Sequence, residues 1–432
     1  MNACYFRRVA ALALVLAAGG TSPILGQPVF RVLSYMDQYS PPKGLTEVTP
    51  GIFYLPSGIY LFSITTTGSK TAIDSLYNAD GALAPVVAAA DGRFYDSSWP
   101  GYNPDQANPA TVYSVGATPE TLKVYAPQTI APVLTQGLPN SALFGVATNV
   151  YENSGELALS DTQGNVTPIY QFDRGQTAGA GVYASDGNYY AVVWEERDGY
   201  ICRVTPSGSL TQLVKLSGFF AGYPTTLIQA SDGDLYGTTP LGGAHGTGSV
   251  FKMTLQGQYT EIYSFEAAPN AYPTTLIEGS DGNLYGATEG YLSPTLLFEL
   301  SKSGIYIQLT QLPENQGCPC TLTQGSDGVI YGTAYGPEQG GYVFSLDNGL
   351  PEPKPQALQF TPQSGPAGTR VLLWGSNLLA ATVSFNGVAG TAVSNNGTTY
   401  VWATVPAGAS SGPITVTTPG GSSTTLGVFT VE

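Results

Sequence analysis

From about residue 45 the chain reads as short apolar runs interrupted by turns rich in Gly, Ser, Asp and Asn. The clearest stretch holds four such runs: TTLI (225–228), DLYGTT (234–239), SVFKM (249–253) and YTEIYSF (259–265). Runs this short, enriched in β-branched and aromatic residues, predict strands rather than helices. The Ser-Asp-Gly link between the first two predicts a two-residue hairpin turn, because such turns need residues that tolerate φ > 0. Gly-containing turns, LQGQ (255–258) and PSGS (206–209), join third runs to fourth.

The pattern recurs. YPTTLIQASDGDLYG (223–237), YPTTLIEGSDGNLYG (272–286) and CPCTLTQGSDGVIYG (318–332) align closely, with fainter copies upstream. The aromatic that ends each second run gives a ruler: Tyr54, Tyr95, Phe144, Tyr190, Tyr236, Tyr285 and Tyr331, at intervals of 41, 49, 46, 46, 49 and 46. Four strands per 40–50 residues is the signature of a β-propeller blade. Seven third runs are present, but only six fourth runs follow them, since GYVFSL (341–346) leads straight into DNGLPEPKPQ. PVFRVLSY (28–35) resembles a fourth run with no unit before it. Its pairing with the last unit would protect two strand edges and join the chain ends. The expectation is therefore an all-β fold: a seven-bladed β-propeller over 28–348, closed by its N-terminal strand.

SDGxLYG, a Gly-rich stretch, VFKM and IYSF together resemble the tandem-repeat GloVer family of exported bacterial proteins, strongly over 223–346 and faintly before 150. The resemblance implies the architecture and brings no catalytic residues.

Past a Pro-rich segment, GLPEPKPQ (349–356), the composition shifts to Thr, Ser, Val and Gly with alternating runs such as VLLWGSN (371–377) and TYVWATV (399–405). Turn signals at 8–12-residue spacing predict a small β-sandwich over 357–432. FTPQSGPAGTRVLLWGSNL (360–378), VPAGASSGPITVTTPGG and GVFTV make this part similar to the immunoglobulin-like IPT/TIG domains, which implies a spacer or binding module without chemistry. Trp374 and Trp402 are expected in the sandwich core, and 349–356 as an extended, semi-rigid spacer.

Composition narrows the function. Lys and Arg number 15 against 30 Asp and Glu, a net charge of −15, which disfavours nucleic acid and anionic membrane surfaces. Residues 1–26 carry Arg7 and Arg8, the apolar run VAALALVLAAGG and a small-residue exit, the pattern of an export signal. A secreted or periplasmic bacterial product is expected, without membrane insertion once the signal is removed. The three cysteines beyond it, Cys202, Cys318 and Cys320, are an odd number and read as structural or incidental.

A single histidine leaves little room for His-based catalysis, and no GxSxG, HExxH or Walker-type motif occurs. Neither a metal nor a cofactor is expected, since the repeated Asp-Gly turns are explained by turn chemistry and spread one unit apart. Candidate ligand-binding residues lie on loops between second and third runs: Trp99, Tyr102, Asp105, Trp194, Glu195, Arg197, His245, Glu289 and Tyr291. Aromatic faces beside carboxylates suit a glycan or a protein segment. The expectation is an exported, non-catalytic binding or scaffold protein. The alternative is a carbohydrate-active hydrolase or lyase using paired loop carboxylates such as Glu195, Glu196 or Glu289.

Overall fold

In a computed structural model of the chain the described residues are 27–36, 42–58, 60–75, 84–98, 102–103, 106–107, 111–117, 122–125, 133–138, 142–149, 154–195, 198–216, 226–266, 272–289, 295–313, 318–335 and 340–432. The expected export signal lies outside them. Every regular element among them is a strand.

The four-run unit folds as read. Thr226–Gln229, Leu235–Thr239, Ser249–Met253 and Tyr259–Ser264 pair antiparallel in chain order. The two middle strands are almost wholly buried and the outer one half-exposed, which is why the middle runs are apolar or small nearly throughout. Seven four-stranded antiparallel sheets of this kind occur among the described residues before 348, numbered here one to seven by their first strands. Those first strands are Thr46–Thr49, Val87–Ala88, Val133–Gly137, Gln176–Tyr183, Thr226–Gln229, Pro273–Glu278 and Cys318–Gln324. The ruler aromatics are the buried centres of the sheets, none more than 3% exposed.

The glycine after that aromatic has a steric cause. Gly237, Gly286 and Gly332 stand opposite Phe251, Phe298 and Phe344 of the third strand. A Cβ on any of them would sit 2.3–2.4 Å from the phenyl ring. The motif LYG…VF is thus a ring lying over a bare backbone.

The Asp-Gly turn is longer than the two-residue form expected. In sheet five Ala230 N bonds Asp234 O and Gly233 N bonds Ala230 O, and of this loop only Gly233 has positive φ. This is a type I turn ending in a left-handed glycine, the three-residue hairpin loop. Asp232 holds it: Oδ1 accepts from Asp234 N and Oδ2 from Tyr236 Oη at 2.8 Å. The same aspartate–tyrosine bond joins Asp91 to Tyr95, Asp186 to Tyr190, Asp281 to Tyr285 and Asp327 to Tyr331, at 2.6–2.9 Å. In the first unit Pro50 takes the aspartate's place, and Tyr54 Oη donates instead to Gly116 O.

The N-terminal strand Val29–Tyr35 completes sheet seven, with Phe30 opposite Leu346 and Arg31 opposite Ser345. Side chains of first strands tie a sheet to the preceding one at four described junctions. Gln229, Glu278 and Gln324 accept from the backbone N–H of Ser185, Ser231 and Ser280 at 2.7–2.9 Å. Glu47 of sheet one does the same to Ser326 of sheet seven, 279 positions away, taking its N–H at 2.7 Å and its hydroxyl at 2.8 Å.

Beyond 356 a four-stranded and a five-stranded sheet enclose a separate core containing Phe360, Val371, Leu373, Val401, Ala403, Ile414 and Phe429. Trp374 and Trp402 are not in it. They lie on the outer face with Leu372 and Tyr400, packed against Val48, Tyr54, Val86, Ala88, Ala90 and Phe94 of sheets one and two. The physical reason is alternation: Val371, Leu373, Val401 and Ala403 point inward, so their neighbours must point out, and those neighbours are apolar too. The Pro-rich segment is no free spacer either. Pro353 and Pro355 are buried, and Pro351 O accepts from Ser280 Oγ.

Candidate functional site

The first strands of all seven sheets line one cavity of about 870 Å³. Along each first strand one side chain enters the sheet core and the next faces this space, as strand geometry dictates. Leu227, Leu276 and Leu322 are the inward set. One residue further on, every unit carries a β-branched residue: Thr46, Val87, Thr135, Val182, Ile228, Ile277 and Thr323. None of the seven is fully buried; all but Thr323, which lines the neighbouring cleft, form an uncharged collar on the channel. Adjacent first strands are stapled by threonine hydroxyls: Thr46 Oγ1 donates to Val86 O at 2.6 Å and Thr226 Oγ1 to Thr274 O at 3.3 Å. No ionisable side chain lines the cavity among the described residues. Its chemistry is hydroxyl, amide and aliphatic surface.

The C-terminal module stands over the Asp-Gly face of this channel. Three ring donors reach main-chain carbonyls across the boundary: Trp374 Nε1 to Gly137 O at 3.1 Å, Tyr400 Oη to Leu138 O at 2.8 Å and Trp402 Nε1 to Ala90 O at 2.7 Å. Arg370 stacks on Trp402, 4.6 Å from the ring centroid. Thr398 and Thr399, from the turn before Tyr400, line the channel itself. These anchors all fall on sheets two and three. Over sheets five to seven the module stands off, leaving a polar cleft of about 460 Å³.

The residues singled out from sequence are only partly placed. Trp99, Asp105, Arg197 and Tyr291 lie outside the described residues. Tyr102 falls in a two-stranded ribbon, Tyr102–Asn103 with Gln106–Ala107, and Glu195 ends the strand Tyr189–Glu195. Trp194 is half-buried against the cluster of Tyr190, Val192, Ile201 and Leu216. His245 and Glu289 are exposed, and neither they nor Trp194 line the channel. Cys202 is a free, buried cysteine whose thiol burial pushes up to about 12. The side chains of Cys318 and Cys320 are not among those described.

Asp96 was not anticipated. It sits in the second strand of sheet two, Arg93–Ser98, opposite Tyr113 and wholly buried, accepting from Tyr113 Oη and Ser97 N, each at 2.7 Å. Burial pushes its carboxyl up to about 8, against the lowering effect of those bonds and of Lys43. Glu47 is likewise raised by burial. The Asp-Gly tyrosines are raised by burial and by their aspartates, Tyr236 to about 12, so they stay protonated donors. The collar was readable as a β-branched position shared by all units. The docking face was readable in VLLW and YVWA, which are apolar at both parities and so must be covered on both sides.

A family model described as the Gloeobacter/Verrucomicrobia repeat matches residues 134–344 and 196–399. No curated protein matches the sequence. Among solved structures, a streptogramin B lyase is similar at 16% identity and a TM-score of 0.57, covering 74% of this chain and 97% of its own. A catalytically inactive variant of virginiamycin B lyase from Staphylococcus aureus, crystallised with quinupristin, is similar at 17% and 0.57, covering 74% and 99%. At such identities the likeness is one of fold: a repeat β-propeller.

Proposed function

The chain belongs to the Gloeobacter/Verrucomicrobia repeat family, and from that premise we propose an exported, non-catalytic binding or scaffold protein that takes a glycan or protein segment on its loop-bearing face. In this reading the seven sheets are blades of one closed ring, and the C-terminal module is an immunoglobulin-like IPT/TIG domain docked on the opposite face. Ring closure is supported by Val29–Tyr35 in sheet seven and by the Glu47–Ser326 tie, which repeats the links between consecutive sheets. The observation that carries the non-catalytic reading is the channel wall. Threonine, glutamine and aliphatic side chains can hold a neutral ligand, but none of them is an acid or base that could shuttle a proton or activate a threonine hydroxyl. In this reading Trp99 and Tyr102, in the sequence between the second and third strands of the second unit, supply the aromatic surface.

A glycan and peptide array on the full chain tests this. Saturable binding is expected, lost when Trp99 and Tyr102 are changed together to Ala. Turnover of a polysaccharide panel that disappears in Glu195→Gln or Glu289→Gln would overturn it in favour of a carbohydrate-active enzyme.

A further inference from the structure

The module face that docks on the repeat changes character along its length. In the strand Arg370–Ser376, alternation puts Leu372, Trp374 and Ser376 on this face, and Gln356, opposite Ser376 on the next strand, shares it. Across from Trp374 stands Tyr400, and Thr398 lies in the turn before it. Leu372, Trp374, Tyr400 and Trp402 pack against the repeat. One step further on the face is polar: Gln356, Ser376 and Thr398 all line the cleft over sheets five to seven. From the repeat Thr323 lines the same space, turned away from the core that takes Leu322. None of these four is fully buried, and their side chains make no hydrogen bond among the described residues.

The other polar groups around the cleft are already engaged. The Glu278 carboxylate accepts from Ser231 N and Oγ and is neutralised by Lys302 Nζ at 2.6 Å. Gln324 bonds Ser280 and Gly328 O, Gln229 bonds Ser185 and Gly233 O, and Asn377 donates to Lys354 O. The stem of Lys354 lies along Gly421, which is not part of the lining. The open groups are thus three hydroxyls and an amide, neutral and each able both to donate and to accept.

We propose that this cleft binds a small neutral sugar, a mono- or disaccharide, held between module and repeat by Gln356, Ser376, Thr398 and Thr323. A sugar hydroxyl both donates and accepts, so it can pair with each of these groups and leave no surplus donor or acceptor. A purely apolar ligand would cover the four without giving them partners. The C–H surface of a sugar ring finds aliphatic contact at Ile228 and Ile277, where the cleft joins the channel beside Gln229. A space of about 460 Å³ at a boundary between two folded units is of the size and in the setting that hold small ligands. The site does not rest on the function proposed above.

Calorimetric titration of the full chain with glucose, galactose, maltose and cyclohexanol tests it. At least one of the three sugars should bind saturably, and cyclohexanol, a ring of similar size with a single hydroxyl, should bind about tenfold or more weakly, the scale of one or two hydrogen bonds. Changing Gln356 and Ser376 together to Ala should weaken the sugar about tenfold with little change in thermal midpoint, since neither side chain bonds the protein. Ser376→Trp, which puts an indole into the cleft from an exposed position, should abolish binding. Failure of all three sugars to bind, equal binding of cyclohexanol, or indifference to both sets of substitutions would overturn the proposal. Sugar binding that survives Ser376→Trp but is lost when Trp99 and Tyr102 are changed to Ala belongs to the site proposed above and overturns this one. Sugar binding lost in Ser376→Trp and kept in the Trp99 and Tyr102 variant supports the cleft, whatever the array shows.

Discussion

Asp96 and the turn aspartates show how one residue type is put to opposite uses. Asp232 lies at an exposed turn, where a tyrosine, a backbone N–H and the ammonium groups of Lys252 and Lys302 surround it, and its carboxyl is held below the usual range despite some burial. Asp96 accepts hydrogen bonds from Tyr113, Ser97 and the Ala84 backbone, but it is wholly buried and desolvation outweighs them. The sign of the consequence follows. Between about 4, the unfolded value, and about 8, the folded chain keeps a proton on Asp96 that the unfolded chain has released. Folding stability should therefore fall as pH rises across that window and level off above it. Urea unfolding of wild type and Asp96→Asn at pH 5 and pH 8 checks this: the wild type should lose more stability than the variant over the interval, and parallel losses would refute the assignment.

Neighbouring sheets share no backbone ladder; apolar clusters join them, and side chains at first-strand ends add hydrogen-bonded ties. Glutamine or glutamate at this position reaches back to a serine N–H of the preceding sheet at four described junctions, and one of these joins sheet one to sheet seven. Breaking that tie should act like opening a clasp. Glu47→Ala would leave Ser326 N, Ser326 Oγ and Gly51 N without their acceptor and should cost about 1–3 kcal/mol in denaturant midpoint experiments. Glu47→Gln should cost less, because Gln229 and Gln324 make the corresponding link with an amide. Equal losses for the two variants would show that the contact is not a hydrogen-bonded tie. Register is carried by an equally local device: the Gly237–Phe251 fit admits a phenyl ring only opposite a residue without a Cβ.

At the scale of the molecule the outer face of the C-terminal module and the Asp-Gly face behave as one core. Trp374, Tyr400 and Trp402 bury apolar rings there while their polar hydrogens meet carbonyls, which satisfies both demands of a buried Trp or Tyr. Changing Trp374 and Trp402 together to Ala should separate the module from the repeat. Calorimetry should then resolve two transitions where the wild type gives one, and protease should cut near 349–356. A single unchanged transition would mean that the rings contribute no coupling. The hydrogen-bonded anchors lie over sheets two and three, and the cleft lies over sheets five to seven.

Much of this architecture is local chemistry repeated, and so it was legible in the chain. Turn residues, two-sided apolar runs and an aromatic every forty to fifty positions set the strands, their order and the unit length. Even the strand borrowed from the N-terminus could be inferred, because a missing fourth run and a surplus one are visible in the same string. What the chain could not show by itself are contacts between residues far apart with no shared pattern. Glu47 meets Ser326, Trp402 meets Ala90 and Thr398 meets the channel only once the units have come together in space. The burial that raises the Asp96 carboxyl is a property of everything packed round it, and tertiary structure alone decides it.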